Sequence, residues 1–333
     1  MRRTRTVLAT LATVATVATV LGVMTSAAVG AVAPSGARQT VRATVRATMV
    51  SSTPAVVHSP RPRRHKRTKV VMPVRRKAAL APGTATAPMT YHGGRLMTAP
   101  AHVYLIWYGD WSASAAPAVL GDLLEGLGGS AYARTNATFT DRAGNHVTSD
   151  IRLAGTTKVV AKHGARLSDA GVRRQVASAI ARGALPSDTD GIYVVATSAD
   201  VRETSGFGSR YCGWHTHTLL KGADLKYVFV GDPSRQAPHT CTAPVASTPN
   251  ADRGADAMAS TLVHEIDETL TDPDLDGWYD RYYNENGDKC AWTYGPTYPS
   301  ATGAAANVDF AGRDFLVQRN WVVSPSQGCA MRA

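Results

Sequence analysis

The sequence predicts an α/β fold, with one domain over residues 87–333 built on a mixed sheet and ending in a loop-rich, disulfide-bonded part. Three observations carry this. Short apolar strand-like runs alternate with helical stretches up to residue 271, the pattern of a layered α/β domain. Residues 277–333 then turn rich in Gly, Tyr and Asn and lose periodicity. All four cysteines, Cys212, Cys241, Cys290 and Cys329, fall in the last 122 residues.

The elements follow in order. "HVYLIWY" at 102–108 is aromatic, β-branched and bounded by turn residues, so it reads as a buried strand. Residues 115–127 read as a helix and 146–160 as strand material. Residues 168–185 open on a Ser168 cap and place Val172, Val176, Ile180 and Leu185 at helical spacing. "GIYVVATS" (191–198) and "LKYVFVGD" (225–232) are two more strands, and a helix runs from about Ala255 to Thr271.

The N-terminal part is of another kind. Arg2, Arg3 and Arg5 precede an apolar run from Val7 to Met24, and small residues near Ala27, Ala31 and Ala33 offer cleavage sites. Residues 1–33 therefore read as a secretory signal peptide. Residues 34–86 read as a basic, disordered linker, a soluble spacer or pro-segment; its like charges also offer contact with anionic wall polymers. The chain carries 36 Lys+Arg against 25 Asp+Glu, but residues 1–80 hold 15 of the basic residues and no acid. The domain is thus slightly acidic, and no nucleic-acid partner is expected, because the basic footprint is not on a fold. An even cysteine count in an exported chain favours two disulfides. Three pairings are open, of which Cys212–Cys241 and Cys290–Cys329 close local loops and are favoured.

The densest chemistry lies in "TLVHEIDETLTDPDLDGWYD" (261–280), with seven carboxylates, one histidine and no positive charge. Met258, Leu262, Ile266 and Leu270 form an apolar stripe. His264, Glu268 and Asp272 step along the opposite side, and Pro273 ends the helix. His264-Glu265-x-x-Glu268 is the H-E-x-x-H zinc motif with its last histidine replaced by glutamate. Ligands four apart on a helix converge on one ion, and the intervening Glu265 serves as general base. This metal-site helix makes the predicted domain zincin-like. A third ligand must come from beyond the helix: Asp274, Asp280, Glu285 or Asp288, with Asp288 and Asp274 favoured. In this reading Glu265 faces an open cleft.

A calcium loop overlaps the same stretch. Asp272, Asp274 and Asp276 alternate before Gly277, and Asp280 fits a further ligand position, but Tyr283 stands where a bidentate glutamate is needed. Acids crowding a helix C-terminus are disfavoured by the dipole, which argues for a cation nearby. Elsewhere, His215 and His217 in "YCGWHTH" would share one strand face and offer a second metal pair. No G-x-S-x-G element and no phosphate-cradling glycine loop is present. Trp278, Tyr282, Tyr283, Trp292, Tyr294 and Tyr298 suit either packing or stacking on sugars.

"YHGGRLMTAPAHVYLIWYGDWS", "YCGWH", "YVFVGDP", "DPDLDGWY" and the four cysteine neighbourhoods resemble the EXORDIUM, or phosphate-induced protein 1, family. The resemblance runs in patches from about residue 89 to the C-terminus. It implies secretion to the cell wall or apoplast and a link to growth and phosphate response, with no established enzyme activity. The sequence departs from the plant pattern at His264, Glu265 and Glu268, where secreted bacterial relatives are similar to it. Two functions are therefore expected. One is a secreted zinc-dependent, peptidase-like hydrolase acting on an extracellular peptide. The other is a non-catalytic, wall-associated or carbohydrate-binding protein with a structural calcium loop.

Overall fold

The computed structural model describes residues 67–75 and 86–333. The expected signal peptide and most of the expected linker lie outside the described residues.

Four mutually parallel strands form one side of a six-stranded sheet, out to its far edge. They are β2 (Ala101–Tyr108), β3 (Ile151–Val159), β4 (Gly191–Thr197) and β6 (Ala223–Gly231). Strand β5 (Tyr211–Leu220) pairs antiparallel with β6, and β1 (Val70–Pro73) pairs antiparallel with β5. The spatial order is β1-β5-β6-β4-β2-β3. The sheet is mixed, as its sequence implied. The parallel interior strands read as near-continuous apolar runs because both their faces are covered; every residue of β4 is buried. The β5–β6 turn is the two-residue Lys221-Gly222, both at positive φ, the geometry that matches the twist of a hairpin.

Helices cover both faces. On one face lie α1 (Ala116–Leu127) and α3 (Arg253–Thr271), packed on Val103, Leu105, Trp107, Val194 and Val228. On the other, α2 (Asp169–Ala181) packs on Tyr104, Ile106, Tyr193 and Val195. Alternate residues of β2 thus serve opposite cores. The Ser168 hydroxyl caps α2 by accepting from Gly171 N, and the Asp252 carboxylate caps α3 by accepting from Ala255 N. The C-terminal part adds the short helix α4 (Asn286–Lys289) and two-stranded ribbons, including Asn320–Val322 with Gly328–Ala330. Disulfides join Cys212 to Cys241 and Cys290 to Cys329.

Two features differ from expectation. Residues 67–75, placed within the linker, carry β1 and join the sheet. The alternating Val70, Met72 and Val74 are buried, a strand signal masked by the surrounding Arg and Lys. Helix α3 was expected to present its polar side outward, yet every residue from Gly254 to Thr271 is buried. Strand β5, helix α4 and the C-terminal segment enclose the polar side.

Candidate metal centre

The polar side of α3 faces β5 at close range because of Gly213. An added Cβ there would lie 2.5 Å from Thr261 Cγ2 and 2.7 Å from Glu265 Oε1. Two residues on, His215 points from the same strand face towards the helix. Pro273 stops α3, and the chain turns back so that α4 lies across its last turns. Gly287 of α4 sits against His264 and Glu268, where a Cβ would stand 2.9 Å from His264 Nδ1.

This brings His264, Glu268 and Asp288 together. His264 Nε2 lies 3.0 Å from Glu268 Oε1 and 3.7 Å from Asp288 Oδ1. His264 and Glu268 are buried, yet both ring nitrogens of His264, Glu268 Oε2 and Asp288 Oδ1 lack a hydrogen-bond partner. Unpartnered polar atoms at such depth are costly, so His264 Nε2 and Asp288 Oδ1, left without partners 3.7 Å apart, are chemically informative. Glu268 Oε1 is oriented by the Asp288 amide, which donates to it at 2.9 Å. A second group adjoins the first and shares Glu268. His215 Nδ1 lies 3.4 Å from Glu268 Oε2 and 3.4 Å from Glu265 Oε2, while its Nε2 lies 3.5 Å from Glu285 Oε2.

The charges interlock. Burial works against protonation of His264, but Glu268 and Asp288 outweigh it and hold its pKa well above the ordinary value. Burial likewise opposes charge on His215, and Glu265 and Glu268 lift it to about 9. Burial would raise Glu268, but His264 and His215 bring it down to about 2. Glu265 is pushed up to about 7 and Asp288 to about 6, mainly by burial. Below these groups, Asp267 accepts from Tyr132 Oη at 2.9 Å and Asn136 Nδ2 at 2.6 Å, fixing the helix rotation.

The other predicted residues lie elsewhere. Asp274 does not join His264. It lies with His217 and Asp224, its Oδ1 3.8 Å from His217 Nδ1 and 3.7 Å from Lys226 Nζ. His215 and His217 share a strand face, as their spacing implied, but serve separate clusters. The calcium-loop carboxylates form no shared ligand group among the described residues, and protein groups take Asp272, Asp274 and Asp280 separately. Asp272 binds Arg67 Nη2 at 2.5 Å and accepts from Gly277 N. Asp280 accepts from Tyr282 N and Asn284 N and pairs with Lys289. Asp276 lies against Gly94, whose amide donates to its carbonyl. Glu265 does not face an open cleft: it is wholly buried, and its Oε1 accepts from Met72 N at 3.3 Å. Arg67, which binds Glu285 Oε1 at 2.8 Å as well as Asp272, was not foreseen. Nothing in a run of like charges marks one arginine as partly buried and paired.

The family model for the phosphate-induced protein 1 conserved region matches residues 89–329. The chain belongs to this family. Protein EXORDIUM-like 5 of Arabidopsis thaliana is 28% identical over 278 residues, covering 72% of this chain and 76% of the relative. Protein EXORDIUM of the same plant is 26% identical over 69% of this chain and 84% of its own length. Protein PHOSPHATE-INDUCED 1 of Nicotiana tabacum is 26% identical over 62% of this chain and 71% of its own length. No solved structure matches the chain significantly. The match to the family begins at residue 89, so the segment that supplies Arg67 and Met72 lies outside it.

Proposed function

We propose that this member of the phosphate-induced protein 1 family is a secreted zinc-dependent hydrolase of the peptidase type. His264, Glu268 and Asp288 would hold the ion, and Glu265 would be the base. One observation carries the reading: ligand atoms of His264, Glu268 and Asp288, on a helix and a following loop, lie within 4.8 Å of one another, and His264 Nε2 and Asp288 Oδ1 have no hydrogen-bond partner. One imidazole and two carboxylates make an acceptable donor set for zinc. A zinc ion there would supply Lewis-acid polarisation of a substrate carbonyl. The chain's own residues supply the proton transfers. Glu265 would accept the proton, and His215, its Nδ1 3.4 Å from Glu265 Oε2, would steady developing negative charge.

A second reading is a non-catalytic extracellular protein, wall-associated or carbohydrate-binding, with a structural ion. The full burial of Glu265 and Glu268 favours it, and the exposed Tyr282, Tyr283 and Tyr298 offer stacking faces. Metal analysis with a peptide-hydrolysis assay separates the two. The hydrolase reading expects about one zinc per wild-type chain, none in His264→Ala, and zinc without hydrolysis in Glu265→Gln. Near-zero zinc in wild type and His264→Ala alike would sink the metal centre. Zinc with no hydrolysis, even once β1 is displaced, would leave the structural reading.

A further inference from the structure

Strand β1 meets the body of the protein as a bound peptide meets a receptor. Its backbone adds to the edge of the sheet along β5, in the register Val70 to His215, Val71 to Trp214 and Met72 to Gly213. Further main-chain contacts anchor it. Thr68 O accepts from the Thr216 hydroxyl at 2.8 Å, Pro73 O accepts from Trp292 Nε1 at 3.0 Å, and Arg75 N donates to Thr240 O at 3.0 Å. Main-chain pairing for affinity, with pockets for particular side chains, is the mode of strand-addition recognition.

The pockets are specific. Arg67 enters an acidic one, bonded to Asp272 and Glu285, with its guanidinium carbon 4.2 Å from the Tyr279 ring centre. The Lys69 ammonium lies 2.6 Å from Asp169 Oδ2 and 4.1 Å from the Tyr211 ring centre. Val70, Met72 and Val74 point inward and are buried. Met72 donates its amide to Glu265, so the middle of the segment crosses the metal centre. The segment belongs to the basic arm, and the family match starts beyond it, at residue 89.

We propose that the groove between the β5 edge, the end of α3 and α4 is a binding site for an extended basic peptide. Its ligand has two basic residues two positions apart, followed by apolar residues at alternate positions, and residues 67–75 are its tethered occupant. The peptidase reading gains from this a substrate class and a reason for the closed site. The groove itself rests on contacts that need no ion. Tethering gives the occupant an effective concentration on the order of millimolar, so a free peptide competes poorly with it.

The test uses the full chain. Arg67→Glu/Lys69→Glu removes both anchors of the tethered segment. The probe is a fluorescein-labelled peptide copying residues 65–77, read by anisotropy in zinc-free and zinc-loaded protein. The doubly substituted chain is expected to bind the probe on the order of a hundredfold more tightly than wild type, as release from the tether requires. The same peptide with both basic positions changed to Glu is expected not to bind. Equal, weak binding by wild type and the folded variant overturns the proposal. A second form guards against misfolding: a specific protease site within 76–85, cut in the folded full chain. The freed N-terminal fragment should then exchange for the labelled peptide. A fragment that neither leaves on gel filtration nor exchanges makes β1 an integral strand and overturns the proposal. Binding is read without turnover, so a protein that proves inactive or free of zinc leaves the result standing.

Discussion

Gly213→Ala tests the geometry that holds the metal helix against the sheet. The added methyl would stand 2.5 Å from Thr261 Cγ2, 2.7 Å from Glu265 Oε1 and 3.1 Å from Phe229 O. None of these yields cheaply. Thr261 is β-branched and fixed in its rotamer, Glu265 is held by Met72 N, and Phe229 O is backbone. The helix must move away from β5, and overpacking of this kind costs about 1–3 kcal/mol. For a domain of this size each kcal/mol shifts Tm by about 2–4 °C, so a drop of roughly 2–12 °C follows. Gly121→Ala is the matched control, since Gly121 lies within α1 with no atom within 4 Å of the new methyl. Relief of a helix-interior glycine should stabilise by about 0.5–1 kcal/mol and raise Tm by about 1–4 °C. Scanning calorimetry of the three proteins decides. A Gly213→Ala protein that melts with or above wild type would show that α3 and β5 are not in contact as described.

Three further outcomes are expected. Gly287→Ala, whose methyl would press on His264 Nδ1 and Glu268 Oε1, should lower zinc affinity at least ~tenfold, about 1.4 kcal/mol, in a chelator competition. Zinc uptake should release protons. His264 is held charged above the ordinary histidine value and a ligand imidazole must be neutral, so affinity should rise with pH. Calorimetry in two buffers of different ionisation enthalpy reads this, and identical heats would count against histidine ligation. Reduction of Cys290–Cys329, which closes a separation of 39 residues, should cost about 4 kcal/mol of stability. It should also weaken zinc binding, because Asp288 lies two residues from Cys290; unchanged affinity in reductant would show that the bridge does not hold the ligand loop.

Local pattern made much of the fold legible. The apolar runs at 102–108 and 191–198 became central strands because nothing but a covered sheet suits them. Ser168 announced its helix through a side-chain cap. Strand β5 was harder, since "YCGWHTHTLL" mixes polar and aromatic residues, and only its neighbours make it a strand. At the site, the four-residue step from His264 to Glu268 is a property of the helix and could be read directly. That Asp288, and not Asp274, approaches His264 depends on how the chain doubles back after Pro273, which no local signal encodes. The acidic run also misled in one respect. Its carboxylates looked like ligands for one cation, whereas Arg67, Lys289, Lys226 and backbone amides take several of them separately.

Strand β1 also bears on how the protein behaves in concentrated solution. The far edge of the sheet, β3, alternates inward and outward residues and turns the charged Arg152 and Lys158 to solvent, a pattern that discourages other strands from adding. The near edge, β5, has no Asp, Glu, Lys or Arg in its ten residues. With β1 in place, residues Tyr211 to His215 of that edge are paired. With β1 gone, a ribbon of unpaired amides and carbonyls free of Asp, Glu, Lys and Arg faces outward, and two copies can zip together along it. Loss of the segment would then turn a dispersed protein into one that pairs or aggregates as its concentration rises.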